Sequence, residues 1–241
     1  MGKVRAPDET EQLVREHLIF RGFRDIQFEP DGSVPPDFLV DKRIAVEARR
    51  LNQNWGKGDD IHGLEEDAIP LWLKVRKIAR SYGASSVNEG WFVWLDFGRP
   101  VEDWKTLRPK VEHIFKAIAA QPVRAATIER IGRNFELRFI PAHQKLNWFF
   151  TLGFQTDAQS GGWALAELER NLKIVIAEKT KKIDPYRSRY PVWWLALEDK
   201  IDFAIPEPFD QEEFRKGATI EHDFDRVILI NPNDHAKFFE L

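Results

Sequence analysis

The sequence predicts an α/β fold. Apolar residues recur at helical spacing in several segments, and these alternate with short runs rich in β-branched and aromatic residues. Some of those runs, WFVWLDF at 91–97 above all, are so continuously apolar that they read as strands buried on both faces. No internal repeat, low-complexity tract or clear linker divides the 241 residues. A single α/β domain with elaborations is therefore preferred over two domains split near residue 100.

Residues 8–21 form the first expected helix, with Leu13, Val14, His17 and Leu18 on one stripe. Asp8 is the expected N-cap and Glu11 its capping-box partner, and Gly22 ends the helix. His17, on the apolar stripe, reads as a satisfied core residue. FRDIQFE reads as a short strand and PDGSVPP as a loop. Phe38–Asp41 and Arg43–Arg49 read as two strands joined by a tight turn at Asp41-Lys42. From Ile61 to Tyr82 the spacing is helical, with a kink or fresh start expected at Pro70. Residues 101–120 read as a helix, and a hairpin turning at Gly132-Arg133-Asn134 follows. LNWFFTLGF adds a strand, and a helix runs from Trp163 to about Lys182. PVWWLAL and RVILI are further buried strands, and Asn231-Pro232 reads as the start of a short last helix.

Composition narrows the chemistry. Apolar residues make up 43% and charged residues 31%, the balance of a globular protein that buries a core. No cysteine is present, which excludes disulfides, thiol nucleophiles and thiolate metal sites and fits a reducing compartment. No apolar run approaches the roughly 20 residues of a membrane span. MGKVRAPDETEQ lacks the apolar segment of a secretory signal, so the expected location is cytoplasmic. The net charge of -3 neither announces nor excludes a nucleic-acid partner, because only the binding face must be positive. The histidines show no HExxH spacing, no phosphate-binding glycine loop is present, and no G-x-S-x-G occurs. The acidic EHDFD at 221–225 reads as a polar approach to the strand RVILI.

The stretch PPDFLVDKRIAVEARRLNQN, residues 35–54, carries the sharpest chemical signal. Strand periodicity puts Glu47 and Arg49 on one face, with Ile44, Val46 and Ala48 on the other. Asp37 opens the neighbouring strand, so Asp37 and Glu47 can meet at one end of the sheet. Paired carboxylates repel unless a cation lies between them, and Mg²⁺ takes such oxygens together with a substrate phosphate. The plainer alternative makes Asp37 a strand-start turn residue and Glu47 with Arg49 a solvated pair.

An Asp after Pro, an apolar strand, a turn and a second strand ending Glu-x-(basic) resembles the PD-(D/E)XK nuclease superfamily. The order helix-strand-strand-strand-helix-strand over about residues 8–97 is similar to its restriction-endonuclease-like core, leaving 98–241 as a C-terminal α/β elaboration packed on the same domain. The resemblance implies a metal-dependent nuclease hydrolysing phosphodiester bonds with Mg²⁺ or Mn²⁺. It assigns Asp37, Glu47 and the carbonyl of Ala48 to the metal. Glu11 joins the catalytic set because archaeal Holliday-junction resolvases of this superfamily carry a first-helix Glu before a Gly-aromatic pair, here Gly22-Phe23. Glu9 or Glu16 takes that role if the helix is rotated, and capping explains Glu11 equally well. Arg49 stands where the family has Lys. An Arg stays protonated and cannot act as a base, but it can stabilise charge on the phosphate. Either the protein is active with Arg49, or the site is degenerate and the fold serves as a nucleic-acid- or protein-binding module. Lys57, Lys74 and Lys77 are candidates to supply a lysine instead.

Two basic segments complete the reading. KVRKIAR places Lys74, Lys77 and Arg80 at roughly helical spacing on the polar side of a helix. EKTKKIDPYRSRYP brings Lys179, Lys181, Lys182, Arg187 and Arg189 together with Tyr186 and Tyr190. Such segments can follow a phosphate backbone, or they can be solvated helix ends. The expected partner is nucleic acid, DNA ahead of RNA, with no membrane and with a homodimer left open.

Overall fold

The structure, a computed structural model, describes residues 5–56, 61–86, 89–162, 164–201, 208–218 and 220–241. Lys57 and Trp163 lie outside them. The chain is α/β and divides into two compact units, Met1–Gln53 with Gly162–Leu241, and Asn54–Gly161. In chain order the elements are α1 (Glu9–Phe20), β1 (Ile26–Phe28), β2 (Phe38–Val40), β3 (Ile44–Leu51), β4 (Asn54–Trp55), β5 (His62–Gly63), α2 (Leu64–Arg80), β6 (Trp91–Phe97), α3 (Trp104–Ala119), β7 (Thr127–Gly132), β8 (Phe135–Pro141) and β9 (Phe150–Asp157). Then come α4 (Ala164–Ile183), a 3₁₀ segment (Asp184–Arg189), β10 (Val192–Asp199), α5 (Pro208–Gly217), β11 (Arg226–Asn231) and β12 (Asp234–Glu240).

The expected boundary at residue 97 falls inside the second unit. α2 and β6, which the sequence reading made the closing helix and strand of a core over 8–97, belong to that unit and its own sheet. The helix and strand that continue the sheet of β3 are α4 and β10. β3 pairs in parallel with β10 along its whole length, from Ile44 against Val192 to Leu51 against Asp199. The first unit therefore runs helix, three strands, helix, strand, with residues 54–161 inserted between β3 and α4.

The six-stranded sheet of the first unit has the order β1-β2-β3-β10-β11-β12. α1 begins with the expected capping box: Glu11 N–H donates to Asp8 Oδ1 at 2.9 Å and Asp8 N–H to Glu11 Oε2 at 2.7 Å. Its buried Val14 and Leu18 pack on Val46, Ala48, Trp194 and Ala196. His17 is fully buried and donates from Nδ1 to the His235 carbonyl at 2.8 Å. The β2–β3 turn places Asp41 and Lys42 at φ 48° and 56°, and the Arg43 N–H closes it on the Val40 carbonyl at 3.0 Å. On the opposite face α4 buries Leu168, Leu172, Val175, Ile176 and Ile183 against Ala45, Trp193, Leu195 and Leu197. At roughly 1.5–3 kcal/mol per buried aliphatic side chain, this stripe decides which face of α4 turns inward. β10, central to the sheet, is covered on both faces.

The expected last helix after Asn231-Pro232 is instead β12, antiparallel to β11. Asn231 Oδ1 accepts from the Asn233 N–H at 2.7 Å and shapes a turn, while Phe239 alternates into the core. The acidic EHDFD behaves as expected, with Asp225 Oδ2 accepting from the Trp193 N–H at 2.7 Å.

In the second unit β7-β8-β6-β9 form a four-stranded sheet. α2 and α3 bury Leu71, Val75, Leu107, Val111 and Phe115 with the inner residues of β6 and β8. β6 alternates between buried and more exposed positions, with Trp94 37% exposed, so it is covered on one face and not on both. α2 runs unbroken through Pro70, which faces solvent. Arg99 is the polar centre of the unit. Its side chain is fully buried; Nη1 donates to both Asp157 oxygens at 2.6 and 2.7 Å, Nε to Asp67 at 2.9 Å, and Nη2 to the Leu64 carbonyl at 2.6 Å. Removing one partner of a buried pair strands the other charge, at a cost of about 3–5 kcal/mol. Arg99→Ala is expected to destabilise the second unit by that amount, read as a fall in its urea midpoint. An unchanged midpoint would disprove the role of Arg99 as its polar anchor.

Candidate active site

Glu47 lies in the middle of β3, flanked by the hairpin strand β2 and by β10. Phe38 pairs with Val46, so one step further along the ladder Asp37 stands opposite Glu47. Phe38 and Val46 point toward α1, which turns Asp37 and Glu47 to the α4 face. The structure thus brings these two predicted acids together. Asp37 is held in place from the strand itself, its Oδ2 accepting from the Ala48 N–H at 2.7 Å. The Asp37 backbone is fixed as well, its carbonyl accepting from the Glu29 N–H at 2.8 Å.

Two lysines of α4 complete the cluster. Lys179 Nζ lies 2.7 Å from Glu47 Oε2 and 3.2 Å from the Ala48 carbonyl. Lys182 Nζ, one turn on, lies 3.0 Å from the same Glu47 oxygen. The Glu47 side chain is 0% exposed and that of Lys179 8%, while Lys182 remains 45% exposed. Glu47 Oε1 is buried and, among the described residues, accepts no hydrogen bond.

Burial, and next the neighbouring Glu47 charge, push the Asp37 carboxyl up to about 6, against the opposing pull of Lys179, the Ala48 N–H and Lys182. Burial draws the Lys182 ammonium down, but Glu47 and Asp37 outweigh it and hold the group above its ordinary value. With Asp37 ionised, two carboxylates face two ammonium groups and the cluster is neutral.

The remaining predicted residues are placed elsewhere. Glu11 serves the α1 capping box and pairs with Arg5 at 2.5 Å, and among the described residues no three His, Cys, Asp or Glu side chains are grouped to hold a metal. Arg49, one residue pair along β3 from Glu47, is tied to Glu178 of α4. Arg187 donates to the Asp223 carbonyl at 2.8 Å, and Arg189 pairs with Asp31 at 3.1 Å, so these two brace the fold. Lys74 lies over the Trp104 ring, and Lys74 and Lys77 both belong to the second unit. Lys179, expected among phosphate-binding cations, is instead a buried partner of Glu47. The sequence held a signal for this: Lys179 interrupts the apolar stripe of α4 between Val175 and Ile183, each four residues away.

The donor set suits a hard divalent cation. Two carboxylates and a backbone carbonyl offer oxygen only, and Glu47 Oε1 has an unused acceptor. Scans against protein-family models, curated proteins and solved structures returned no match to this chain.

A carboxyl whose folded value exceeds its unfolded one retains a proton in the fold that the unfolded chain has released. Stability therefore falls as pH rises from 3.8 toward about 6, then stays flat with respect to this group. Asp37→Asn removes that penalty. In the absence of divalent ions the variant is expected to exceed the wild type in stability at pH 8, with the difference closing by pH 4, in urea unfolding across pH. A difference independent of pH would rule out Asp37 as the strained group.

Proposed function

We propose that the first unit is a divalent-metal-dependent nuclease with a restriction-endonuclease-like core, assembled from α1, β1, β2, β3, α4 and β10, and that it hydrolyses phosphodiester bonds of DNA or RNA. The observation that carries this reading is the convergence of Asp37, Glu47, the Ala48 carbonyl and Lys179 at the middle of β3. Asp37, Glu47 and the Ala48 carbonyl would hold Mg²⁺ or Mn²⁺. When bound, such an ion neutralises phosphate charge and acidifies water.

The chain's own groups divide the remaining work. The Ala48 N–H donates to Asp37 Oδ2 and keeps that carboxylate oriented. Lys179 takes the role that the resemblance gives to a motif Lys: its ammonium lies against the same two acceptors from the helix side and can stabilise charge developing on the phosphate. Arg49 is neutralised by Glu178 and stands outside the set. Lys182, half exposed, is placed to meet an incoming phosphate.

A second reading is a non-catalytic module that binds nucleic acid or protein. It is favoured by the pair of ammonium groups on Glu47 Oε2, which already balance that charge. Titration calorimetry with Mn²⁺ separates the two: the nuclease reading expects heat that Glu47→Gln abolishes, and binding that weakens as pH falls through about 6, where Asp37 takes up its proton. In plasmid nicking, loss of a single stabilising group from a catalytic site costs roughly 10²–10³-fold. Lys179→Ala is expected to show such a loss and Arg49→Ala to stay within about threefold, since its charge is already spent on Glu178. Cleavage that survives Glu47→Gln would end the nuclease reading.

A further inference from the structure

The second unit carries a site of its own. α2 contains Lys74, Arg76, Lys77 and Arg80 with no acidic residue among or between them. On the other long helices several surface cations are paired, Arg108 with Glu112, Lys110 with Glu102 and Lys173 with Glu169. Among the described residues, none of the four α2 cations forms an ion pair. Lys74 turns toward Trp104. Arg76 and Arg80 instead share a stripe with Trp72, at i, i+4 and i+8, on the side of α2 that lines a cavity.

That cavity, about 220 Å³, lies between α2 and the start of β9, the edge strand of its sheet. Trp72, Arg76, Arg80, Trp148 and Thr151 line it over an apolar floor, and no carboxylate does. The Arg80 guanidinium sits 5.1 Å from the Trp148 ring centroid, so it is held at the cavity by a cation–π contact instead of trailing into solvent. Trp148 is 38% exposed, a large flat apolar surface left open beside two cations. The volume is below the ~300–1,000 Å³ that encloses a whole drug-sized ligand, so the cavity accepts one flat group while the rest of the ligand stays outside.

We propose that this cleft binds an unpaired nucleotide of a single-stranded nucleic acid. The base stacks on the indole wall of Trp148 and Trp72, and the flanking phosphates meet Arg76 and Arg80. Lys77, beside them on α2, extends the cationic track along the strand. Two guanidinium groups in a lining that holds no carboxylate favour an anion, and two indoles in the same lining favour a planar ring; a nucleotide carries both. Bases in a duplex are stacked on one another and cannot enter, so the site selects single strands. The inference does not rest on phosphodiester hydrolysis.

Fluorescence anisotropy with a labelled oligothymidylate, in EDTA so that cleavage plays no part, tests the proposal. Wild type should bind the single strand more tightly than a duplex of equal length. Arg76→Ala/Arg80→Ala should weaken binding at least ~10-fold at 0.1 M salt and lower the slope of log K against log salt by about 1–2. Trp148→Ala should weaken binding roughly 5–150-fold, the range of one lost stacking contact, with the salt slope unchanged. Thermal unfolding of the arginine double variant should stay close to wild type, because neither side chain is buried or ion-paired and only the exposed Arg80–Trp148 contact is lost. Unchanged affinity in that variant, a duplex bound as tightly as the single strand, or an acidic peptide of equal charge that binds as well would each overturn the proposal.

Discussion

A single buried carboxylate governs how the first unit is put together. Glu47 has no exposure to water, and an isolated charge in such a place is too costly to keep. α4 must therefore lie with Lys179 and Lys182 above it. The Coulomb attraction of such a pair, about 4 kcal/mol at an effective dielectric of 20, is offset by the several kcal/mol needed to desolvate each ion. The cluster thus adds little net stability, while breaking it is expensive. Its consequence is positional: the apolar stripe of α4 selects a face, and the lysines fix where along β3 that face sits.

The insertion explains why so much local structure was legible and the assembly was not. The α1 capping box, the Asp41-Lys42 turn and the hairpin at Gly132-Arg133-Asn134 are set by residues within a few positions of one another, and each was read within a residue or two. Partner choice is not local. VWWLALED and WFVWLDF look alike as apolar runs, yet the first is central to a six-stranded sheet and the second is covered on one face only. Nothing near Ile44 announces that its parallel partner is Val192, with a whole second unit between them. Asn231-Pro232 failed for a different reason. An Asn-Pro pair suits a helix start and a turn equally, and the alternation that seats Phe239 in the core decided for the strand.

At the site, strand periodicity was sufficient to put Asp37 and Glu47 on one face and to pair their strands. It could not assign the cations, because an ammonium group reaches a carboxylate from any element that packs nearby. Arg49 shares the Glu47 side of β3 but leans to Glu178, while Lys179 arrives from a helix more than a hundred residues later. Glu11 illustrates the converse: a residue matching a family pattern was also a capping residue, and the local hydrogen bonds hold it there.

The discontinuity of the first unit also sets the sequence of events during synthesis. Residues 54–161 are continuous and can close their own core as soon as they leave the ribosome. The preceding three strands must wait, because β10 and the lysines that neutralise Glu47 are made only after residue 178. Until then β3 presents an unpaired edge with a bare acid at its middle. That charge, unwelcome in any dry strand-to-strand contact, guards the nascent edge against pairing with the wrong neighbour until its own helix arrives.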